Sequence, residues 1–322
     1  MSRTVTTIQS TRGSDVLPAA ERHALGPILD EIHRLKTQRN AIVLAHNYMS
    51  PAVYHLAADL RGDSLALAHM ARETDAEVIV MAGVHFMAET AKISNPDKTV
   101  LIPDLEAGCS LAESITAADI RRLRERHPGV PVVTYVNTSA EVKAESDVCC
   151  TSGNAVSVVE SLGSPRVLFL PDQWLGRWVA SQTDIEILLW DGACEVHERF
   201  NADDIRRYRS PGMSVIAHPE CPTEVLAEAD YVGSTHGMID WVRARRPERV
   251  MMLTECSMAD NVALEVPETD FVRPCNLCPH MQRIDVENIA RSLRTMTHEV
   301  TVDEAVAERA QLAVERMLAI GR

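Results

Sequence analysis

The sequence predicts an α/β protein made of three related three-layer αβα modules, each with a small parallel sheet around a central channel. Three apolar runs that end in polar residues predict the first strand of each module: AIVLAHNY (41–48), VPVVTYVN (130–137) and MSVIAHPE (213–220). Their apolar residues are continuous, as in parallel strands buried on both faces. Cys109, Cys194 and Cys278 recur at matching places, 85 and 84 residues apart. These observations indicate a repeated unit of about 85 residues.

The segments after each first strand also repeat. A helix-like stretch leads to a turn with a hydroxyl, in GDS (62–64), CTS (150–152) and GST (233–235), and Asp59, Asp147 and Asp230 lie five residues before those hydroxyls. A second helix follows in LALAHMARE, AVSVVESL and MIDWVRAR, and a second apolar strand in VIVMAG, VLFLPD and VMMLTE. Each unit then closes on a segment that ends in one of the three cysteines.

Three such modules in one chain predict a pseudo-threefold arrangement with one shared site, because open α/β sheets place their sites at the carboxyl ends of the strands. We expect a flexible tail at 1–20 and modules at 21–108, 109–193 and 194–280. The segment 281–322 has helical periodicity, and we expect its helices to pack back on the first module.

Composition narrows the class of protein. Hydrophobic residues make up 46% of the 322 residues, and the net charge of −14 argues against nucleic-acid or anionic-membrane partners. The N-terminus lacks the apolar segment of a signal peptide, and there is no apolar run of about 18 residues that could span a membrane. We therefore expect a cytoplasmic protein, whose eight cysteines serve as metal ligands, redox groups or core residues rather than in disulfides.

The three equivalent cysteines favour a metal centre over three coincidentally matched core residues. Structural zinc sites usually take close pairs with the spacing C-x₂₋₄-C, and here only Cys275 and Cys278 form such a pair. Three remote thiolates on one axis suit three corners of a 4Fe–4S cube, which leaves one iron without a protein ligand. That iron is an open Lewis acid, so this arrangement indicates a dehydratase rather than an electron carrier.

The other cysteines carry less specific signals. We expect Cys149, Cys150, Cys221 and Cys256 to fill the core. The C-x-x-C spacing also raises the hypothesis that Cys275 forms a disulfide with Cys278 under oxidation and so ejects the cluster.

Polar residues at the strand ends predict a substrate site around the same centre. Ser64, Ser152 and Thr235 are placed to cap helices or, with the free N–H groups there, to bind the anionic groups of a substrate. Donors and acid/base groups come from His46, Tyr48, Tyr135, Asn137, His218 and Glu220. His218 and Glu220 are the best acid/base candidates, because both flank Pro219 at a strand end. We expect His85, His197 and His236 to be structural.

These residues lie in motifs that resemble the A-type quinolinate synthases of bacterial NAD biosynthesis. The resemblance covers residues 30–295 and consists of AHNY, GDSLALA, HFMAETAK, PDLEAGCSLAES, YVNTSAEVKAESD, CTSGNA, FLPDQWLGRWVA, GACEVHERF, AHPEC, ADYVGSTHGMI, TEC and CNLCPHM. It implies an iron–sulfur transferase with one 4Fe–4S cluster per chain, which condenses iminoaspartate with dihydroxyacetone phosphate to quinolinate, phosphate and water. It also implies an L-aspartate-oxidising partner that supplies iminoaspartate.

Carried over motif by motif, the resemblance assigns three kinds of site residue. The cluster ligands are Cys109, Cys194 and Cys278. The catalytic residues are His218, Glu220, Tyr48 and Tyr135, with Tyr48 similar to a mobile tyrosine of the family. Substrate contacts are His46, Ser64, Tyr135, Asn137, Ser152, His218, Glu220 and Thr235.

The chain departs from the family pattern in two places. CNLCP lacks the third cysteine of the C-x-x-C-x-x-C found in some members, which leaves the role of Cys275 open. His236 stands where a small residue is common, which is expected to alter one wall of the site. Two other functions remain alternatives: cleavage of S-adenosylmethionine, as in the diphthamide-synthesis iron–sulfur enzymes, and a non-catalytic redox sensor.

Overall fold

Three separate sheets, each flanked by helices, form the framework of the protein and confirm the predicted α/β class with three modules. The structure is a computed structural model that describes residues 6–7 and 17–321, with backbone alone at 6, 7 and 273. Most of the predicted tail, residues 1–5 and 8–16, lies outside the described residues. No described helix is both long and apolar enough to cross a membrane.

The first sheet has the strand order β3-β2-β4-β5 and is entirely parallel. Its strands are β2 (Ala41–His46), β3 (Leu60–Gly62), β4 (Val78–Ala82) and β5 (Thr99–Leu101). The helices around it are α1 (Ala19–Arg39), α2 (Ser64–Glu73) and α3 (His85–Ser94), with a turn of π-helix at Ala52–Ala57. Asn40 ends α1 in the left-handed conformation, which Asn tolerates better than most residues.

The second sheet repeats this order as β7-β6-β8-β9, again with parallel strands. Its strands are β6 (Val132–Tyr135), β7 (Val148–Cys150), β8 (Arg166–Leu170) and β9 (Glu186–Leu189). Its helices are α4 (Ser110–Glu113), α5 (Ala117–Arg126), α6 (Ala140–Ala144), α7 (Ala155–Ser161) and α8 (Gln173–Ala180).

The third sheet has the same parallel order, β11-β10-β12-β13, and the short β1 (Thr6–Thr7) pairs antiparallel with its edge. Its strands are β10 (Met213–Ala217), β11 (Tyr231–Val232), β12 (Arg249–Leu253) and β13 (Asp270–Arg273). Its helices are α9 (Ala202–Tyr208), α10 (Thr223–Leu226), α11 (Thr235–Arg245) and α12 (Cys256–Glu265). Single 3₁₀ turns lie at His197–Arg199 and Met281–Arg283.

The predicted first and second strands of each module are all present. The structure adds a short strand that the sequence analysis did not predict, β3, β7 or β11, directly before each hydroxyl-bearing turn. These strands are two or three residues long, too short to show a hydrophobic period.

Equivalent aspartates fasten the first strand of each module. Each carboxylate accepts a hydrogen bond from a backbone N–H of that strand, at 2.9, 2.7 and 2.7 Å, and a second from a cation on or just after the preceding helix. The groups are Asp59 with Val43 and Lys36, Asp147 with Val132 and Arg124, and Asp230 with Val215 and Arg209. The repeated aspartate of the sequence therefore has a structural role, because it links the first strand of each module to the preceding helix.

Both faces of the third sheet are buried, which explains its continuous apolar strands. Ile216 and Met252 face the core under α11 and α12, whereas Val215 and Met251 face a separate core on the α9 side. The first two modules instead share one large core with the C-terminal helices.

The C-terminal helices, expected to pack back on the first module, contact both the first and the second module. Helix α13 (Val286–Thr295) does contact α1, where Arg294 pairs with Glu31 at 2.8 Å. Helix α14 (Glu304–Ile320) lies mainly against α6 and β7 of the second module. Asn154 donates to the Gly321 carbonyl at 2.8 Å, which fixes the end of α14. The C-terminal segment thus joins two modules.

Candidate active site

One pocket lies where the carboxyl ends of strands from all three modules meet, as the parallel sheets predict. Every residue that the sequence analysis placed in a site lines this pocket. They are His46, Tyr48, Ser64, Cys109, Tyr135, Asn137, Ser152, Cys194, His218, Glu220, Thr235 and Cys278. One of the three cysteines follows the last strand of each sheet, and each module contributes one hydroxyl at a turn and at least one strand-end polar group.

The three pocket cysteines are unpaired thiols, and each is half-buried. Burial raises the pKa of Cys109 to about 12 and that of Cys278 to about 11, and it raises the pKa of Cys194 well above the usual value. Without a metal these thiols are protonated, and a bound metal would favour the thiolates. Three convergent sulfur donors with no close cysteine partner fit an iron–sulfur cluster better than a structural zinc ion.

A buried carboxylate with two imidazoles forms the polar centre of the pocket. Glu220 Oε2 lies 2.7 Å from His197 Nδ1 and 3.4 Å from His218 Nδ1, and all three side chains are almost fully buried. His197 Nδ1 is also 3.2 Å from Cys194 Sγ. We assign its proton to Glu220, because that distance is shorter and the acceptor is charged.

Burial and the contacts between the carboxylate and the two imidazoles shift the pKa values in this centre. Burial by itself raises the Glu220 pKa, but the two imidazoles outweigh it and hold the pKa of this carboxyl well below its usual range. Burial lowers the pKa of His197, although Glu220 opposes that shift. A carboxylate that stays ionised at neutral pH can accept a proton as a general base.

Tyr48 and Tyr135 stand beside this carboxylate. Burial and the negative charge of Glu220 raise the pKa of each phenol well above its usual value, so both remain proton donors. The Tyr48 hydroxyl lies 2.6 Å from Thr254 Oγ1, and that oxygen lies 3.0 Å from His197 Nε2. A row of hydrogen-bonding groups therefore runs from Tyr48 through Thr254 and His197 to Glu220.

The three turn hydroxyls are not the helix caps that the sequence allowed. Asp63 caps α2 by accepting from Ala66 N at 2.9 Å, and Ser234 caps α11 by accepting from Gly237 N at 3.2 Å. Ser64 and Thr235 are instead the first residues of those helices. Ser152 precedes α7, and its Oγ lies 3.1 Å from His218 Nε2. Because Asp63 and Ser234 cap α2 and α11, the hydroxyls of Ser64 and Thr235 are not needed as caps, and all three hydroxyls line the pocket.

Two of the oxygen atoms in the pocket have unused hydrogen-bonding capacity. Asn137 Oδ1 and Glu220 Oε1 are buried and have no hydrogen-bond partner among the described residues. Buried polar atoms are rarely left unsatisfied, and exceptions call for an explanation. A polar ligand in the pocket would satisfy both.

Two expectations about cysteines are wrong. Cys256, expected as core filler, forms a disulfide with Cys275, so the chain is not free of disulfides and Cys275 does not pair with Cys278. Cys256 starts α12 at the end of β12, and Cys275 follows the adjacent parallel strand β13, which brings their Cα atoms to 5.0 Å. Cys149, Cys150 and Cys221 are fully buried, as predicted.

The expectation that His236 alters a wall of the site is also wrong. Its side chain is 41% exposed and lies 3.0 Å from Asp240 one turn along α11. Because Thr235 begins the helix and faces the pocket, the next side chain points away from it.

The sequence analysis missed three residues at the site. His197, expected to be structural, lines the pocket. Glu255 lines it too, and burial raises its pKa to about 7. Thr254 lies directly behind Tyr48. The motifs GACEVHERF and TEC contain His197, Thr254 and Glu255 and so mark these segments as part of the family pattern. Nothing in either motif shows that His197 and Thr254 are in contact.

The fold and the site define a class: a three-module α/β protein whose single shared pocket combines three thiols with acid/base groups. A family model described as quinolinate synthetase A protein matches residues 30–319. The chain is 64% identical over 305 residues to "Quinolinate synthase 1" of Mesorhizobium japonicum, which covers 94% of both chains. It is 60% identical over 311 residues to "Quinolinate synthase" of Agrobacterium fabrum, covering 96% of this chain and 90% of the relative. The chain belongs to the quinolinate synthetase A family.

Proposed function

We propose that this chain is a cytoplasmic quinolinate synthase that condenses iminoaspartate with dihydroxyacetone phosphate. The products are quinolinate, phosphate and two molecules of water, which balances the atoms of the two substrates. Iminoaspartate is the two-electron oxidation product of aspartate, so an L-aspartate-oxidising enzyme would supply it. Family membership and the names of the relatives support this activity.

The observation that carries the proposal is the convergence of three unpaired cysteines and the acid/base centre in one pocket. Cys109, Cys194 and Cys278 would hold a 4Fe–4S cluster, and the donor chemistry of three thiols fits that group. When bound, the cluster supplies one iron without a protein ligand as a Lewis acid toward substrate oxygen.

The remaining pocket residues would bind the anionic substrates. The hydroxyls of Ser64, Ser152 and Thr235 come from three different modules and surround the pocket. Helices α2 and α11 begin at Ser64 and Thr235, so the positive ends of their dipoles face the same space. Asn137 and His46 add polar groups, and Asn137 Oδ1 needs a donor such as an imine or hydroxyl of the ligand.

Proton transfer would be divided between a base and several donors. Glu220, ionised and with Oε1 free, is placed to take protons during imine formation and ring closure. Tyr48 and Tyr135, whose raised pKa values keep them protonated, would donate to departing oxygen. His218 contacts both Glu220 and Ser152, so it would orient the base relative to the bound anion.

The first experiment is an iron and sulfide determination on protein purified without oxygen, combined with Mössbauer spectroscopy and an assay of quinolinate formation. We expect about four irons per chain, one of which changes its isomer shift when quinolinate is added. Cys109→Ala should lose both the cluster and activity, while Cys149→Ala, which alters a buried core cysteine, should keep both. A cluster-free Cys109→Ala protein with full activity would refute the proposal.

A further inference from the structure

Thr254 connects the first module to the third at the edge of the pocket. It directly follows β12 and is almost fully buried, and its Oγ1 is 2.6 Å from the Tyr48 hydroxyl. Tyr48 follows β2 in the first module. We propose that Thr254 is a positioning residue that holds the Tyr48 hydroxyl in a hydrogen-bond chain through His197 to Glu220. This inference rests on the proposed function, since it concerns turnover of that reaction.

The contacts in this chain are close and continuous. His197 Nδ1 lies 2.7 Å from Glu220 Oε2, and His197 Nε2 lies 3.0 Å from Thr254 Oγ1. Thr254 Oγ1 in turn lies 2.6 Å from the Tyr48 hydroxyl. A hydroxyl can donate one hydrogen bond and accept another, so Thr254 can join the phenol and the imidazole at once.

The direct contact between Tyr48 and His197 is longer than either contact that runs through the threonine. The Tyr48 hydroxyl lies 3.4 Å from His197 Nε2, beyond the usual range for an O–H donor. The ring of Tyr48 also meets His46 edge-on, with 4.7 Å between centroids, but that contact leaves rotation of the hydroxyl free. Thr254 is therefore the group that fixes where the phenol proton points.

Removal of the hydroxyl should affect turnover more than folding or binding. Without Oγ1 the Tyr48 hydroxyl and His197 Nε2 both lose a hydrogen-bond partner. The phenol can then rotate away from its reactive position. The substitution replaces no side chain that lines the pocket and none of the three cysteines.

The test compares Thr254→Val with Thr254→Ser in holoenzyme prepared without oxygen. We expect Thr254→Val to lower kcat about 10- to 100-fold, as for loss of one positioned hydrogen bond, with unchanged iron content and KM values. Thr254→Ser keeps the hydroxyl and should stay within about 3-fold of wild type. Thr269→Val is the matched control, because Thr269 is also buried but bonds the Pro247 carbonyl away from the pocket. Should Thr254→Val not fold, Thr254→Ala deletes the same hydroxyl without added volume and carries the same expectation.

A double-mutant cycle separates positioning from a general structural effect. If Thr254 acts through Tyr48, the Tyr48→Phe/Thr254→Val protein should be no slower than Tyr48→Phe alone. Three results would overturn the proposal. They are additive losses of kcat in the double mutant, equal kcat values for Thr254→Val and Thr254→Ser, and a rise in KM of Thr254→Val with kcat unchanged. If wild-type holoenzyme forms no quinolinate, the proposed function fails instead, and this result is distinct from every outcome of the variants.

Discussion

Among the single residues of the pocket, Glu220 has the most demanding environment. Its carboxylate is buried with His197 and His218 and has no Lys or Arg partner among the described side chains. Burial of a lone charge is costly, so the imidazoles must supply most of its stabilisation. One carboxylate oxygen contacts the two imidazoles, and the other has no hydrogen-bond partner among the described residues. This suits a base that must be held in position and still be able to accept a proton.

Replacement of Glu220 by Gln should remove the base while preserving its shape. We expect kcat for quinolinate formation to fall by about 100-fold or more, with the iron content of the protein unchanged. Glu224→Gln alters an exposed carboxylate on nearby α10 and should have wild-type kinetics. Loss of iron from Glu220→Gln would instead assign this residue to the cluster site.

His46 should make folding stability depend on pH. Burial lowers its pKa to about 4, with smaller opposing effects from nearby charges. In the unfolded chain its pKa is about 6.5. Between these values the unfolded state binds more protons, so this contribution is complete above about pH 6.5 and is lost as the pH falls toward 4.

Urea unfolding of wild type and His46→Gln across pH 5 to 7.5 tests this effect. The free energy of unfolding of wild type should fall more steeply below pH 6.5, by on the order of 1 kcal/mol per pH unit relative to the variant. Parallel curves for the two proteins would show that His46 is protonated equally in both states. A difference that grows above pH 6.5 would contradict the sign.

At the scale of secondary-structure elements, the repeated aspartates account for the position of each first strand. Asp147 accepts from Val132 N at 2.7 Å and from Arg124 at 2.9 Å. It thereby ties the start of β6 to α5. The side chain is 37% exposed, so solvent screens the ion pair, and the hydrogen bond to the strand matters more.

Asp147→Ala should lower the free energy of unfolding by roughly 1–2 kcal/mol, because Val132 N–H loses its acceptor. Asp203→Ala is the matched control: its side chain is 90% exposed and its ion pair with Arg206 lies on the surface, so the change should be below about 0.5 kcal/mol. Chemical denaturation of both variants gives the comparison. Equal effects would mean that the repeated aspartates do not fasten the strands.

The elements of the site differ in how far the sequence reveals them. The three cysteines and the strand ends recur at fixed spacing, so their convergence follows from the repeat. His197 and Thr254 lack that signal, because neither the sequence spacing nor a periodic pattern shows that they meet 57 residues apart. The disulfide of Cys256 with Cys275 depends on which strands are adjacent, whereas the C-x-x-C spacing favoured a different pair.

At the scale of the whole molecule, the pocket takes residues from all three modules, so a bound ligand should hold the modules together. Quinolinate at about 100 times its dissociation constant should stabilise the holoenzyme by about 2.7 kcal/mol, provided that the unfolded chain does not bind it. We expect the apparent Tm to rise by several degrees, and by less in Asn137→Ala. Nicotinate, which lacks one carboxylate, is the control ligand. An equal shift with nicotinate would argue against recognition of both carboxylates.

The placement of one cysteine after the last strand of each of the three sheets also bears on how this chain can change over generations. No single module contains a working fraction of the site, so a duplicated or transplanted module would be inert however well it folded. Small displacements at the contacts between modules would change the geometry of the pocket. They would therefore affect catalysis just as substitutions inside the pocket do. Variation at those contacts is thus constrained by catalysis although it lies far from the substrate.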